Sequence, residues 1–217
     1  MNLEKFEKLD EDKKNRIIEA AMNEFIKEGY TGASTNTIVK SAEISKGALF
    51  NYFENKEKLY LYLLNFNLKK LAHNFQNKRG GIENLNLFDG IKIFANTNIE
   101  FFTKNPKTFK FLANAINNAP PEIRAIVLKA KRELQGTIVK SLTANAPEGY
   151  FRNNARKELI EYTVTTMLDT ISNRYVEKYE GNIEKLLSSS EERNREIDEF
   201  MNLLKFGILN REEKWKK

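Results

Sequence analysis

Ser45, Lys46, Gly47, Ala48, Asn51, Tyr52 and Lys56 are spaced so that one short helix, capped by Ser45, would carry a cation, two small residues and an amide on a single face. Such a face does no covalent chemistry. It offers what a nucleic-acid duplex can be read with: helix-terminal N–H groups for phosphate oxygens, Lys46 for guanine O6/N7, Asn51 for adenine and the Ala48 methyl for a thymine methyl. Thr35, Ser45, Tyr52 and Lys56 are the phosphate-positioning candidates, whereas Lys46, Gly47, Ala48 and Asn51 would meet base edges. Phosphate contacts set register and base contacts specify sequence.

Two short helices are needed to hold these side chains. Ser34 or Thr35 can cap the first, whose Ile38, Val39 and Ala42 face inward; Glu43-Ile44 forms the turn, and Ser45 caps the second. Leu49 and Phe53, four apart, share the face that docks on Ile38 and Ala42. Asn55 then caps a further helix that begins at Lys56. This is the pattern of a DNA-binding helix-turn-helix.

From Arg16 to Tyr62 the chain resembles the N-terminal domain of the TetR (tetracycline-repressor-like) family of bacterial transcriptional regulators. The likeness is carried by Arg16-Ile17-Ile18-Glu19-Ala20-Ala21 with Phe25 and Gly29-Tyr30, by Ser34-Thr35 and Ile44-Ser45-Lys46-Gly47, and by Leu49-Phe50-Asn51-Tyr52-Phe53 with Asn55-Lys56-Glu57-Lys58-Leu59. Glu43 stands where the family most often has glycine; if the turn needs positive φ there, Glu costs roughly 1 kcal/mol relative to Gly. Phe50 stands where the family commonly has a tyrosine that binds phosphate, so it keeps the packing without the hydroxyl.

The resemblance implies a homodimeric, ligand-responsive repressor. A three-helix helix-turn-helix domain over residues 1–60 would bind a double-stranded DNA operator, and a helical domain over 61–217 would sense a small apolar or amphipathic ligand and dimerise. A two-fold dimer implies a pseudo-palindromic operator, with half-sites one or more turns of roughly 34 Å apart. The alternative is a ligand-independent architectural or partner-controlled DNA-binding protein.

Composition sets outer bounds. The formal charge is +6, yet the first 70 residues hold 12 Lys+Arg against 11 Asp+Glu, residues 71–149 hold 11 against 6, and the rest 13 against 13. DNA binding must therefore rest on where cations and amides stand, with bulk basicity contributing little. With no cysteine and a single histidine, His73, no thiolate or multi-histidine metal site can form, and no metal or cofactor is expected. Neither a signal-peptide core nor a run long enough to span a bilayer is visible, which points to the cytoplasm. A nucleophile elbow, phosphate loop and histidine dyad are all missing, and Glu158 with Glu161 reads as solvated charge, so catalysis is not expected.

Helical periodicity continues to the end, for an all-α chain of about nine helices, three of them in the head. After the head, helices are expected over about 56–77 (ended by Gly80-Gly81), 85–103, 106–117, 121–145 (closed by Ala146-Pro147-Glu148-Gly149), 151–179 and 190–209, the last with Ser189 and Glu192 at capping-box spacing. Ile160, Val164, Leu168 and Ile171 line one face of the 151–179 helix, and Ile197, Phe200, Met201, Leu204 and Ile208 line the last. In the family these two helices pair with their copies across a dimer interface; without the resemblance, ordinary intrachain core is the simpler explanation. Eleven of the 15 phenylalanines lie beyond residue 65. Phe66, Phe94, Phe101, Phe102 and Phe109, with polar contacts from Tyr162 or Thr166, are the candidates for a ligand pocket.

Overall fold

Asp10 starts the first long helix by accepting the Lys13 N–H at 2.8 Å, and capping chemistry of this kind sets most boundaries that follow. The structure, a computed structural model, describes residues 3–79, 86–144, 146, 148–179 and 182–208. The helices are α1 Leu3–Glu7, α2 Glu11–Gly32, α3 Thr35–Ser41, α4 Lys46–Phe53, α5 Lys56–Arg79, α6 Leu87–Lys104, α7 Pro106–Asn117, α8 Pro121–Thr143, α9 Lys157–Tyr179, α10 Ile183–Ser188 and α11 Ser190–Ile208. No strand occurs among the described residues.

Among the described residues there are eleven helices where nine are expected, because α1 and α10 are too short to show a period. Each is held by what flanks it: Phe6 of α1 is fully buried, and the side-chain Oδ1 of Asn182 caps α10 by accepting from the Glu184 and Lys185 N–H groups, both at 3.0 Å. Helix α9 begins at Lys157 instead of 151, after a turn in which the Ala155 N–H donates to the Arg152 carbonyl at 2.9 Å. The expected Ser189/Glu192 capping box is absent. Ser189 Oγ donates back to the carbonyls of α10, and Glu192 pairs with Lys178 at 2.9 Å. Gly80, Gly81, Leu85, Pro147 and Leu209 lie outside the described residues.

The chain divides into two compact units that do not follow chain order: residues 1–70 with 105–129, and residues 71–104 with 130–217. The anticipated division near residue 60 falls inside α5, which is continuous from Lys56 to Arg79. In the first unit the buried stripe Ile17, Ala21 and Phe25 of α2 meets a core shared with Ile38, Leu49, Phe53, Leu59 and Leu63. Helix α7 packs on α2. There the Asn114 amide donates to the Ile26 carbonyl at 3.0 Å, and the Thr108 hydroxyl donates to Asn67 Oδ1 at 2.8 Å in a buried site.

The second unit has its own core, where Phe75, Leu87, Phe88, Ile91 and Phe94 meet Ile138, Val139 and Leu142, Ile160 and Val164, and Ile197, Met201 and Leu204. Between α8 and α9 runs a buried polar seam. Asp169, 4% exposed, has Oδ1 3.1 Å from Lys131 Nζ and Oδ2 3.0 Å from the Arg132 guanidinium, while Lys131 also donates to Asn173. Burial pushes the Lys131 ammonium below its ordinary value, and the Asp169 carboxylate opposes that shift.

Candidate nucleic-acid interface

Ser45 caps α4 as its residue type suggested: its backbone is extended, and its hydroxyl accepts the Ala48 N–H at 3.1 Å. The preceding turn is closed by Ile44 N–H to the Val39 carbonyl at 3.0 Å. It requires φ 54 at Glu43, so the conformation that favours glycine is here adopted by a glutamate. The Glu43 carboxylate sits 2.6 Å from Arg16, but both side chains are exposed and such a pair contributes little. At the start of α3, Ser34 has the extended backbone of a cap without the side-chain bond expected of it. Its own N–H donates to the buried Glu24 carboxylate at 2.8 Å.

The face of α4 turned outward carries Lys46, Gly47 and Asn51, all exposed, with Ala48 and Phe50 half-buried. Lys46 Nζ stands 5.9 Å from the centre of the Phe50 ring; this position thus supports a cation through its ring, with no hydroxyl to offer. Thr35 is half-buried and Ser45 exposed, and Asn36, Thr37 and Lys40 of α3, passed over in the sequence, are exposed as well. Their signal was only adjacency to the motif. Tyr52 corrects the expectation of an outward polar tip. It is 8% exposed, and its ring packs 5.7 Å from Phe6, because the residue after Asn51 falls on the inward side of the helix.

Lys56 opens α5, which Asn55 caps by accepting the Lys58 N–H at 2.8 Å. Its ammonium donates to the Thr31 and Ala33 carbonyls, each at 3.1 Å, and lies 5.0 Å from the Tyr30 ring. An ammonium has three donors, so one proton remains for an anion after the end of α2 is tied down. Between α4 and α5, Glu54 takes φ 64 and ψ −47 in a three-residue turn closed by Asn55 N–H to the Phe53 carbonyl at 2.7 Å. Positive-φ turns of this kind are strained for a residue with a Cβ. Glu54→Gly is therefore expected to raise stability by roughly 0.5–1 kcal/mol after the glycine's extra unfolded-state entropy is subtracted. Urea unfolding of the two proteins tests this, and an unchanged or lower midpoint would contradict it.

The residues expected to form a ligand pocket are divided between the units. Phe66 and Phe109 belong to the first, where Phe66 lies under Lys70 Nζ at 4.3 Å and Phe109 is buried. Phe94, Phe101, Phe102, Tyr162 and Thr166 belong to the second. Phe94 is core, edge-on to Phe75 at 5.1 Å, Phe101 and Phe102 meet edge-to-face at 5.9 Å, and Thr166 is half-buried. Tyr162 is 65% exposed, on an outer face of α9.

The stripes expected at a dimer interface turn largely inward. Ile160, Val164, Ile197, Met201 and Leu204 are core of the second unit, with Leu168 packed against it; Ile171 is buried, Phe200 half-buried, and the side chain of Ile208 lies outside the described ones. Lys178–Glu192 and Arg174–Glu196 ion pairs, both 2.9 Å, set α9 and α11 antiparallel. At one end of that pair the exposed apolar side chains are Leu159 and Tyr162 of α9 and Leu203 and Phe206 of α11. Among the described residues no helix is long and apolar enough to cross a membrane.

Residues 17–63 match the family described as "Bacterial regulatory proteins, tetR family". The chain is 32% identical over 115 residues to the HTH-type transcriptional regulator QacR of Staphylococcus aureus, a stretch covering 48% of this chain and 58% of that protein. It is 24% identical over 167 residues to the HTH-type transcriptional repressor AcnR of Corynebacterium efficiens, across 74% of this chain and 80% of the relative. The fold is shared with a crystal structure of a TetR family transcriptional regulator from Chloroflexus aurantiacus, at a TM-score of 0.61 and 20% identity over 96% of this chain and 98% of that one.

Proposed function

We propose, from the premise that this chain belongs to the TetR family of bacterial transcriptional regulators, that it is a homodimeric repressor reading a pseudo-palindromic operator and releasing it in response to a small molecule. The observation that carries the DNA-reading part is the exposed outer face of α4, where Lys46 and Gly47 follow the Ser45 cap and Asn51 faces outward in the next turn. Backbone N–H groups there can reach phosphate, and Lys46 and Asn51 carry the donor patterns that distinguish bases.

Dimerisation would use the apolar residues that α9 and α11 leave exposed, Leu159, Tyr162, Leu203 and Phe206, since Ile160, Val164, Ile197, Met201 and Leu204 are committed to the chain's own core. A two-fold pair of this chain presents two α4 helices to successive major-groove faces. Ligand response is supported by the second unit's aromatic content and by Gln135 of α8, 4% exposed. Its Oε1 is buried with no hydrogen-bond partner among the described residues, and a donor on a bound molecule would satisfy it. A ligand acts on operator affinity only by preferring one conformation of the dimer.

Selection of bound duplexes from a random DNA pool, followed by binding across a salt series, tests the reading. An inverted repeat should be enriched. Asn51→Ala should then relax preference at one base position per half-site, at a cost of about 1–3 kcal/mol, and leave the salt slope unchanged. If no sequence were enriched and all duplexes bound weakly, operator reading would be refuted. An Asn51→Ala variant with the wild-type base preference would remove Asn51 from the base-reading set.

A further inference from the structure

We propose that α1 is a positioning element for the recognition helix, with Phe6 setting the angle at which α4 presents Lys46, Gly47 and Asn51. The inference rests on the operator-reading function proposed above. It starts from the length of α4, which at eight residues is too short to be stable or to hold an orientation alone. Two helices that precede it in the chain grip it. Helix α3 packs on it along the helix-turn-helix, and α1 packs on it from outside that motif.

The second grip is aromatic. The Phe6 ring is fully buried, with its centre 4.7 Å from Phe53, 5.7 Å from Tyr52 and 5.2 Å from Tyr62 of α5. Tyr62 lies 5.3 Å from Phe53 as well, and its hydroxyl donates to the Glu7 carboxylate at 2.9 Å. Four rings thus enclose the C-terminal end of α4, and one comes from a five-residue helix outside residues 17–63. This also accounts for Tyr52, whose burial removes it from the DNA-facing side. Asn51 directly precedes Tyr52 and Phe53 on the same short helix, so a shift of the ring cluster is a rotation of the base-reading face. Recognition groups have to be held to about 0.5 Å by the side chains behind them.

Phe6 itself offers nothing to phosphate, which separates positioning from electrostatic contact in an experiment. The duplex enriched by the wild-type protein and a random-sequence duplex of equal length serve as probes, at a temperature where circular dichroism shows each variant fully folded. Phe6→Ala is expected to lower the ratio of specific to non-specific affinity by roughly tenfold, the scale of one misaligned base contact, while non-specific affinity and its salt slope stay at wild-type values. Phe6→Leu, which refills most of the volume, should recover most of that ratio. A folded Phe6→Ala protein with the wild-type ratio would overturn the inference.

If Phe6→Ala does not fold, Tyr62→Phe takes its place, removing only the tie to Glu7. It should lower the ratio by about fivefold, the lower end of one base contact's discrimination, and an unchanged ratio would be equally fatal. Failure of the wild-type protein to enrich any duplex is a different result: it refutes operator reading itself, and the role of α1 falls with it.

Discussion

Asp169→Ala is expected to cost about 3–5 kcal/mol at neutral pH, because it leaves the buried Lys131 ammonium without its counter-charge. Lys131 is 9% exposed and Asp169 4%, so water cannot take the carboxylate's place as it can for Arg132, whose side chain is 56% exposed. The pH dependence has a definite sign. In the folded state burial holds Lys131 below 10.5, its unfolded value, and the carboxylate's opposing influence is removed in the variant. Between the folded pKa and 10.5 the unfolded chain binds more protons than the folded one, so stability rises with pH across that window.

The variant's window extends further down than the wild type's, and its deficit should therefore be largest near neutrality and shrink towards pH 10.5. Lys131→Met in the Asp169→Ala background should recover much of the loss, as expected when a buried pair is replaced by apolar groups. Urea titrations at pH 7 and pH 10 measure both effects. A loss under 1 kcal/mol at pH 7 would mean that solvent reaches Lys131.

Charging the exposed end of α11, with Leu203→Glu and Phe206→Glu together, is expected to convert the proposed dimer into a monomer and to lower affinity for the proposed operator on the order of 100-fold or more, since one copy engages only one half-site. The two side chains are 68% and 59% exposed, so monomer stability should stay within about 0.5 kcal/mol per substitution. Sedimentation and operator titration on the same sample read the two outcomes. A variant that still sediments as a dimer would place the interface elsewhere. Met201→Glu would be a poor test of the same idea: Met201 is 1% exposed, and a carboxylate there would damage the core before any interface.

The contrast between Met201 and Leu203 shows where sequence reasoning stopped. Periodicity identifies an apolar stripe on α9 and α11 but not what covers it, because a stripe facing the chain's own core and one facing a second copy obey the same 3-4 spacing. Packing decided it, by bringing Ile160 and Val164 against Ile197, Met201 and Leu204. Aromatic content likewise suggested a pocket. It could not show that Phe94 is core while Tyr162 is exposed, nor that Phe66 and Phe109 belong to another unit than Phe101 and Phe102.

What the sequence by itself determined is the helix-turn-helix, since its determinants are neighbours in the chain. The Ser45 and Asn55 caps each act three residues away, the turn strains the one residue between α3 and α4 that was suspected of it, Glu43, and Leu49 and Phe53 turn inward four apart. Tertiary structure alone decided the contacts made at long separation: Phe6 on Tyr52 and Phe53, Lys56 on the carbonyls of Thr31 and Ala33, and Lys131 on Asp169. The physical reason is range. Capping and turn geometry follow from groups a few bonds apart, whereas the burial of Tyr52, the pairing of Lys131 and the open face of α11 depend on which distant element arrives opposite, and no local preference encodes that.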